Sequence, residues 1–272
     1  MIKKIAFFFL AFSFSNSLFS YKIDTVEIYS SSMNKFIKNI VIVPVNHNQF
    51  NKVPVVYLLH GAYGNHTDWT SKTNGLEKFC DVNNMIIVCP DAGYNSWYFD
   101  SPIDSTYLYE TYISQELILF IDNNYHTKKN KENRAISGLS MGGHGALYIA
   151  FRNSEVFGSA GSMSGGVDIR PFHKEWNLSD RLGSIKEFPE NWEKNTVINY
   201  VDSLKKINLN LIIDCGKDDF FLEVNQKFHI NLVENKIDHI YNLNEGSHNW
   251  SYWNKSVYDH LNFFKKFFNF AR

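Results

Sequence analysis

Gly138-Leu139-Ser140-Met141-Gly142 places a serine between two glycines. It follows Arg134-Ala135-Ile136-Ser137, which reads as a short buried strand, and precedes Gly143 to Ala150, which reads as a helix. A serine on a tight strand-to-helix turn is pushed out over the sheet edge, and the small neighbours let backbone pack close behind it. The following amide, Met141 N–H, then points to where an oxyanion would form. The chemistry this arrangement suits is nucleophilic attack on an acyl carbon.

A serine hydroxyl is a weak nucleophile at neutral pH and needs a base, which in turn needs an acid to orient it. After such an elbow, acid and base follow the serine in that order along the chain, from loops behind late strands. The acid loop is Asp214-Cys215-Gly216-Lys217-Asp218-Asp219-Phe220, a strand end turning on a glycine. One of Asp218 and Asp219 should accept the histidine's Nδ1–H, the other is left to cap the next helix, and spacing does not separate them. The base loop is Asn244-Glu245-Gly246-Ser247-His248-Asn249. Of the ten histidines, only His248 occupies the expected post-strand loop. His229 and His260 fall on helices, His239 at a strand start, and His144 one turn past Ser140 with its ring directed away. A second oxyanion donor is expected from Leu59-His60-Gly61-Ala62-Tyr63-Gly64. Ala62 N–H is preferred there over Gly61, with His60 bracing the loop.

These loops need a scaffold. Strand signals recur at 26–29, 40–45, 55–59, 85–89, 134–137, 158–163, 209–215 and 239–243. Several are continuous apolar runs, as in strands buried on both faces of a mainly parallel sheet. Helical patterns lie at 76–82, 109–124, 143–151, 221–235 and 256–268. The alternation predicts a three-layer α/β sandwich around a mostly parallel sheet of about eight strands, one domain over 21–272. The long connection 165–208 carries Trp176 and Trp192 and reads as a partial cap near the carboxyl ends of the strands, where ligands sit in such sheets. Phe263, Phe264, Phe267 and Phe268 read as a final helix docked on the sheet.

The chain has 272 residues, 44% of them hydrophobic and 16% aromatic, enough for a large core. With 27 basic and 28 acidic residues the formal charge is −1, and no basic stripe invites nucleic acid. Lys3 and Lys4 precede the apolar 5–14, and small polar residues follow to Ser20, the pattern of a secretory signal peptide over 1–20. Export follows, to the periplasm or medium, with no stable membrane insertion after cleavage. Cys80, Cys89 and Cys215 read as buried thiols, and no bridge is predicted between Cys89 and Cys215.

With these residues placed, the chain resembles the esterase D-like branch of α/β-hydrolases: S-formylglutathione hydrolases, tributyrin and feruloyl esterases, and the related mycolyltransferases. The matching stretches are Leu58-Leu59-His60-Gly61, Tyr94-Asn95-Ser96-Trp97-Tyr98 with Asp100-Ser101-Pro102, Tyr109-Glu110-Thr111-Tyr112, Gly138 to Gly143, Gly216-Lys217-Asp218-Asp219-Phe220 and Gly246-Ser247-His248. They run in order through the chain after the leader. The resemblance assigns the acid to Asp219, agrees with Ala62 as second oxyanion donor, and makes the Trp97 segment a lining of the substrate cleft. It implies a serine carboxylesterase with Ser140, His248 and Asp219 as triad and no metal or organic cofactor. Short-acyl or hydroxycinnamoyl esters, some carried on carbohydrate, are the expected substrates. Trp97, Tyr98 and Trp176 would form an aromatic rim. An S-formylglutathione-type thioesterase, an acyltransferase and a non-catalytic carbohydrate-binding relative are the competing expectations.

Overall fold

The computed structural model of the chain describes residues 21–45, 47 and 52–270. The leader expected over 1–20 lies outside the described residues. Eight strands form one sheet: β1 (Lys22–Ser30), β2 (Lys35–Val43), β3 (Val55–Leu59), β4 (Ile86–Pro90), β5 (Arg134–Gly138), β6 (Ser159–Met163), β7 (Asn210–Gly216) and β8 (Ile240–Asn244). Their spatial order is β1-β2-β4-β3-β5-β6-β7-β8. The β1–β2 hairpin is antiparallel, β2 meets β4 antiparallel, and every later pairing is parallel.

The apolar runs are two-faced. On β3, Val55, Tyr57 and Leu59 face one core while Val56 and Leu58 face the other. On β4, Ile86 and Val88 part from Ile87 and Cys89 in the same way. Strand side chains alternate sides, so only a sheet covered on both faces can use such runs. One cover is the helix Met141–Arg152 with Leu222–Glu234 and the segment around Tyr112; the other is Leu76–Asn83 and the C-terminal helix Trp250–Phe270. Burying one Leu, Ile or Phe contributes about 1.5–3 kcal/mol. Phe263, Phe264 and Phe268 are buried in that second layer, and no helix among the described residues is long and apolar enough to cross a membrane. The three cysteines are buried and free.

Several elements differ from the sequence reading: β1 and β2 begin at Lys22 and Lys35 rather than at 26 and 40, and an unexpected short helix covers Asp68–Lys72. The helix expected over 109–124 is interrupted by a π-helical stretch, Tyr112–Leu117. Glu116 in that stretch accepts hydrogen bonds from Ser31 Oγ at 2.7 Å and Ser32 N at 2.9 Å, tying it to the β1–β2 turn. The last helix starts at Trp250, six residues earlier than its apolar periodicity suggests, and the added turn buries Tyr252 with its hydroxyl on Asp214. The connection 165–208 folds into short helical pieces, among them Ser179–Leu182, Pro189–Lys194 and Val201–Leu204.

Candidate active site

The parallel strands deliver their following loops to one rim. β5 ends at Gly138, and Ser140 begins the turn into the helix Met141–Arg152 with φ 56° and ψ −118°. A left-handed φ costs a non-glycine residue on the order of 1–3 kcal/mol and persists only where neighbours enforce it. Here they do: Ser140 N–H donates to Met163 O at 2.9 Å, and Leu139 N–H to Leu59 O at 3.3 Å. A Cβ on Gly138 would lie 2.5 Å from Gly142 O, and one on Gly142 2.5 Å from Leu59 O. Both glycines are therefore required by close backbone approach.

His248 Nε2 lies 2.9 Å from Ser140 Oγ, and its Nδ1 lies 2.9 and 3.0 Å from the two oxygens of Asp219. A carboxylate only accepts, so Nδ1 carries the proton and Nε2 is free to receive the serine's. Asp219 is buried and also accepts the Phe221 N–H at 2.8 Å. Its neighbour Asp218 is exposed, and its backbone N–H donates to Gly246 O at 2.9 Å. The structure thus separates the two aspartates that spacing left open. The imidazole is packed by Phe220 at 4.1 Å and, edge-on, by Trp253 at 4.9 Å between ring centres.

The loop after β3 is braced as expected. His60 Nδ1 contacts Gly61 O at 2.8 Å, Ala92 N–H donates to His60 Nε2 at 3.0 Å, and Tyr98 OH donates to His60 O at 3.1 Å. Burial holds the His60 pKa below its ordinary value, which keeps it the neutral brace these contacts require. Tyr63 N–H donates to Tyr94 O at 2.8 Å, and Ala62 and Ser140 both line a cavity of about 440 Å³. Met141 opens its helix, where the first N–H groups have no intrahelical acceptor.

That cavity is also lined by Gly61, Leu139, His248, Trp176, Phe220, Trp250 and Trp253. Trp176 reaches it from the 165–208 connection and stacks on Phe220 at 5.9 Å. The expectation for Trp97 and Tyr98 needs correction. Both are buried, 1% and 0% exposed, and neither lines the cavity. With φ of 53° and 63° the chain folds back on itself there, sending the Trp97 ring behind Trp176 and the Tyr98 ring against Gly145. They support the wall from within. His144 points away from the hydroxyl, as read, and meets Trp97 O at 2.9 Å and Asn195 O at 2.8 Å.

Four wall features escaped the sequence reading: Phe220, Trp250, Trp253 and the Asp68–Lys72 pair, joined at 2.9 Å with the ammonium 5.1 Å from the Trp250 ring centre. Phe220 could have been found from its place directly after Asp219. Asp68 and Lys72 carry only the ordinary i,i+4 helical signal. Among the described residues no group of three His, Cys, Asp or Glu could hold a metal ion.

The fold and the rim define an α/β-hydrolase, with a serine, a histidine and a carboxylate hydrogen-bonded in series over the strand ends. The Esterase family model, described as "Putative esterase", matches residues 30–264. The chain is 26% identical over 258 residues to an acetyl esterase of Caldicellulosiruptor saccharolyticus, spanning 85% of this chain and 94% of that protein. It is 26% identical over 243 residues to the S-formylglutathione hydrolase of Bos taurus, spanning 80% and 84%. A solved ferulic acid esterase matches with TM-score 0.78 and 28% identity, covering 92% of this chain and all of the other (100%). An S-formylglutathione hydrolase from Staphylococcus aureus, at TM-score 0.80 and 19% identity over 90% and 99% of the two chains, matches in fold. The chain belongs to the Esterase family. It is an enzyme, a serine hydrolase of carboxylic esters.

Proposed function

We propose that Ser140 is the nucleophile, His248 the general base and Asp219 the orienting acid of an exported carboxylesterase. The observation that carries this is the single imidazole bridging Ser140 Oγ and Asp219 at 2.9 Å on each side. Ser140 Oγ attacks the ester carbonyl while His248 Nε2 takes its proton, and the imidazolium is held by Asp219. The carbonyl oxygen becomes an oxyanion facing the Ala62 and Met141 amides, where each preorganised donor lowers the barrier by on the order of 3 kcal/mol. His248 passes the proton to the leaving alkoxide. Water, deprotonated by the same nitrogen, then releases the acid and frees the serine.

The substrate class we propose is a short-acyl or hydroxycinnamoyl ester, some of it carried on carbohydrate. The exposed ring of Phe220 and its stack with Trp176 offer a flat apolar wall for an aromatic acyl group. The relatives named acetyl esterase and ferulic acid esterase point the same way. Export rests on the pattern of residues 1–20. A thioester reading is kept by the relative named S-formylglutathione hydrolase. Turnover of methyl ferulate against S-formylglutathione separates the two leaving groups.

Ser140→Ala should lower p-nitrophenyl acetate hydrolysis on the order of 10⁶-fold with the melting temperature preserved. Full activity in that variant would reject the assignment.

A further inference from the structure

Beneath the rim lies a second Ser–His–Asp array. Ser137 Oγ is 2.8 Å from His260 Nδ1, and His260 Nε2 is 2.7 Å from Asp214 Oδ2. Asp214 Oδ1 also accepts the Tyr252 hydroxyl at 2.8 Å, and Oδ2 accepts the Ser256 hydroxyl. All of these side chains are buried, Ser137 and His260 completely. No ester can reach them, so the array is not a second reaction centre.

Its placement suggests another role. Tyr252, Ser256 and His260 are spaced four apart on one face of the C-terminal helix, and they converge on a single carboxylate. Each member lies on an element that adjoins its counterpart's loop above. Ser137 lies on β5, which ends in the Ser140 turn. Asp214 lies on β7, which runs into the Asp219 turn. The helical stripe begins immediately after the His248 loop. That loop is wedged between the two: a Cβ on Gly216 would lie 2.3 Å from Gly246 O, and one on Gly246 2.7 Å from the Tyr252 ring.

We infer that Asp214, with the Tyr252, Ser256 and His260 side chains it gathers, forms a positioning device that sets how far His248 reaches toward Ser140. This rests on the assignment of Ser140 and His248 above. A carboxylate taking three donors from one helix face fixes both the axial slide and the rotation of that helix. A slide of the helix moves His248 directly, since the imidazole lies two residues before the helix begins.

The test compares kinetics at matched stability. Tyr252→Phe deletes the hydroxyl nearest the His248 loop and keeps the ring; Asp214→Asn removes the collecting charge. Val257→Ala lowers stability from the same helix without touching Asp214. Misplacing a reacting group by about 1 Å can cost on the order of 10²-fold. We expect Asp214→Asn to approach that loss in kcat for p-nitrophenyl acetate, and Tyr252→Phe to lose several-fold, both at unchanged KM. In both, a fluorophosphonate probe should phosphonylate Ser140 more slowly, with loss of fluoride, while Val257→Ala keeps wild-type kcat below its own melting temperature. Should Asp214→Asn not fold, Tyr252→Phe carries the test. Wild-type kcat in Tyr252→Phe, or an equal loss in Val257→Ala, overturns the inference. Ser140→Ala, assayed alongside, separates the two failures. An inactive Ser140→Ala with fully active Tyr252→Phe sinks the positioning role alone, whereas an active Ser140→Ala sinks the assignment and the inference together.

Discussion

Among the described residues the same three side-chain types are joined in series at two places, one lining a cavity and one sealed. In the upper set the carboxylate Asp219 faces His248 Nδ1 and the serine faces Nε2; in the lower set Asp214 faces His260 Nε2 and Ser137 faces Nδ1. In both sets each ring nitrogen has a partner, so the presence of hydrogen bonds alone does not distinguish them. The surroundings do. Ser140 stands on a turn with φ 56°, beside a helix N-terminus and a cavity. Ser137 is in regular register on β5, opposite Leu58 of β3, and is sealed. On the proposed assignment, reactivity belongs to the turn, the adjacent amides and the opening, and the same triplet without them is a fastener.

The comparison breaks most sharply at the serines. Ser140→Ala should remove activity on the order of 10⁶-fold with stability kept. Ser137→Ala should do the reverse: far smaller change in kcat, and a stability loss of about 1–3 kcal/mol, because His260 Nδ1 is left buried without its donor. Denaturant midpoints and steady-state rates on the two variants decide it, and an inactive but stable Ser137→Ala would erase the distinction. Next in size is Asp219→Asn. An amide can face Nδ1 with its NH₂, favouring the tautomer that leaves no acceptor for the Ser140 proton, and kcat should fall about 10⁴-fold.

The buried imidazole of His144 is held without a carboxylate. His144 stands between two backbone carbonyls, Trp97 O and Asn195 O, with Tyr148 stacked on it and no carboxylate in contact. Burial outweighs the two carbonyls and pushes its pKa from 6.5 down to about 4. The folded chain then takes up this proton less readily than the unfolded chain does. Stability is intact above the ordinary histidine range, falls as the pH drops through 6.5, and stops falling below about 4. The shift corresponds to about 3 kcal/mol. Chemical denaturation at pH 7, 5 and 4 should show His144→Gln losing less stability toward acid than the wild type. Parallel profiles would remove His144 as the cause.

How much of this could be read from the sequence differs between the two arrays. Ser140, His248 and the pair Asp218/Asp219 stand out because each occupies a loop behind an apolar strand, bounded by glycines, and such punctuation survives in one dimension. The choice between the aspartates needed either resemblance or coordinates, since it turns on which side chain the Gly216 turn sends inward. Trp97 and Tyr98 misled because an aromatic pair near a motif looks the same whether it lines a cleft or props it; their left-handed φ values are invisible to periodicity. The lower array does not stand out in the sequence, because His260 reads as one more helical histidine. Its signal was present as Tyr252, Ser256 and His260 at intervals of four, but the helix was expected to begin at 256, which cut off the first member. The π-helical stretch at Tyr112–Leu117 left no trace in the apolar spacing of 109–124.

The smallest effect should come from the wall of the upper array, the feature the lower one lacks. Trp176 is held against Phe220 and backed by Trp97, so its indole is a fixed surface that pays little entropy on binding. An aromatic acyl group laid on it would gain about 1 kcal/mol beyond simple burial, which is roughly fivefold in KM. An acetyl group is too short to use that surface. Trp176→Ala should therefore raise KM for methyl ferulate about fivefold, leave kcat near the wild-type value, and leave p-nitrophenyl acetate unaffected. The split follows if the indole touches the acyl group equally in ground and transition states, so that its loss weakens binding without raising the barrier from the bound complex. If KM rises equally for both esters, Trp176 shapes the cavity rather than reading the acyl group; if kcat falls instead, its hold on Phe220, and through Phe220 on the His248 ring, is what matters.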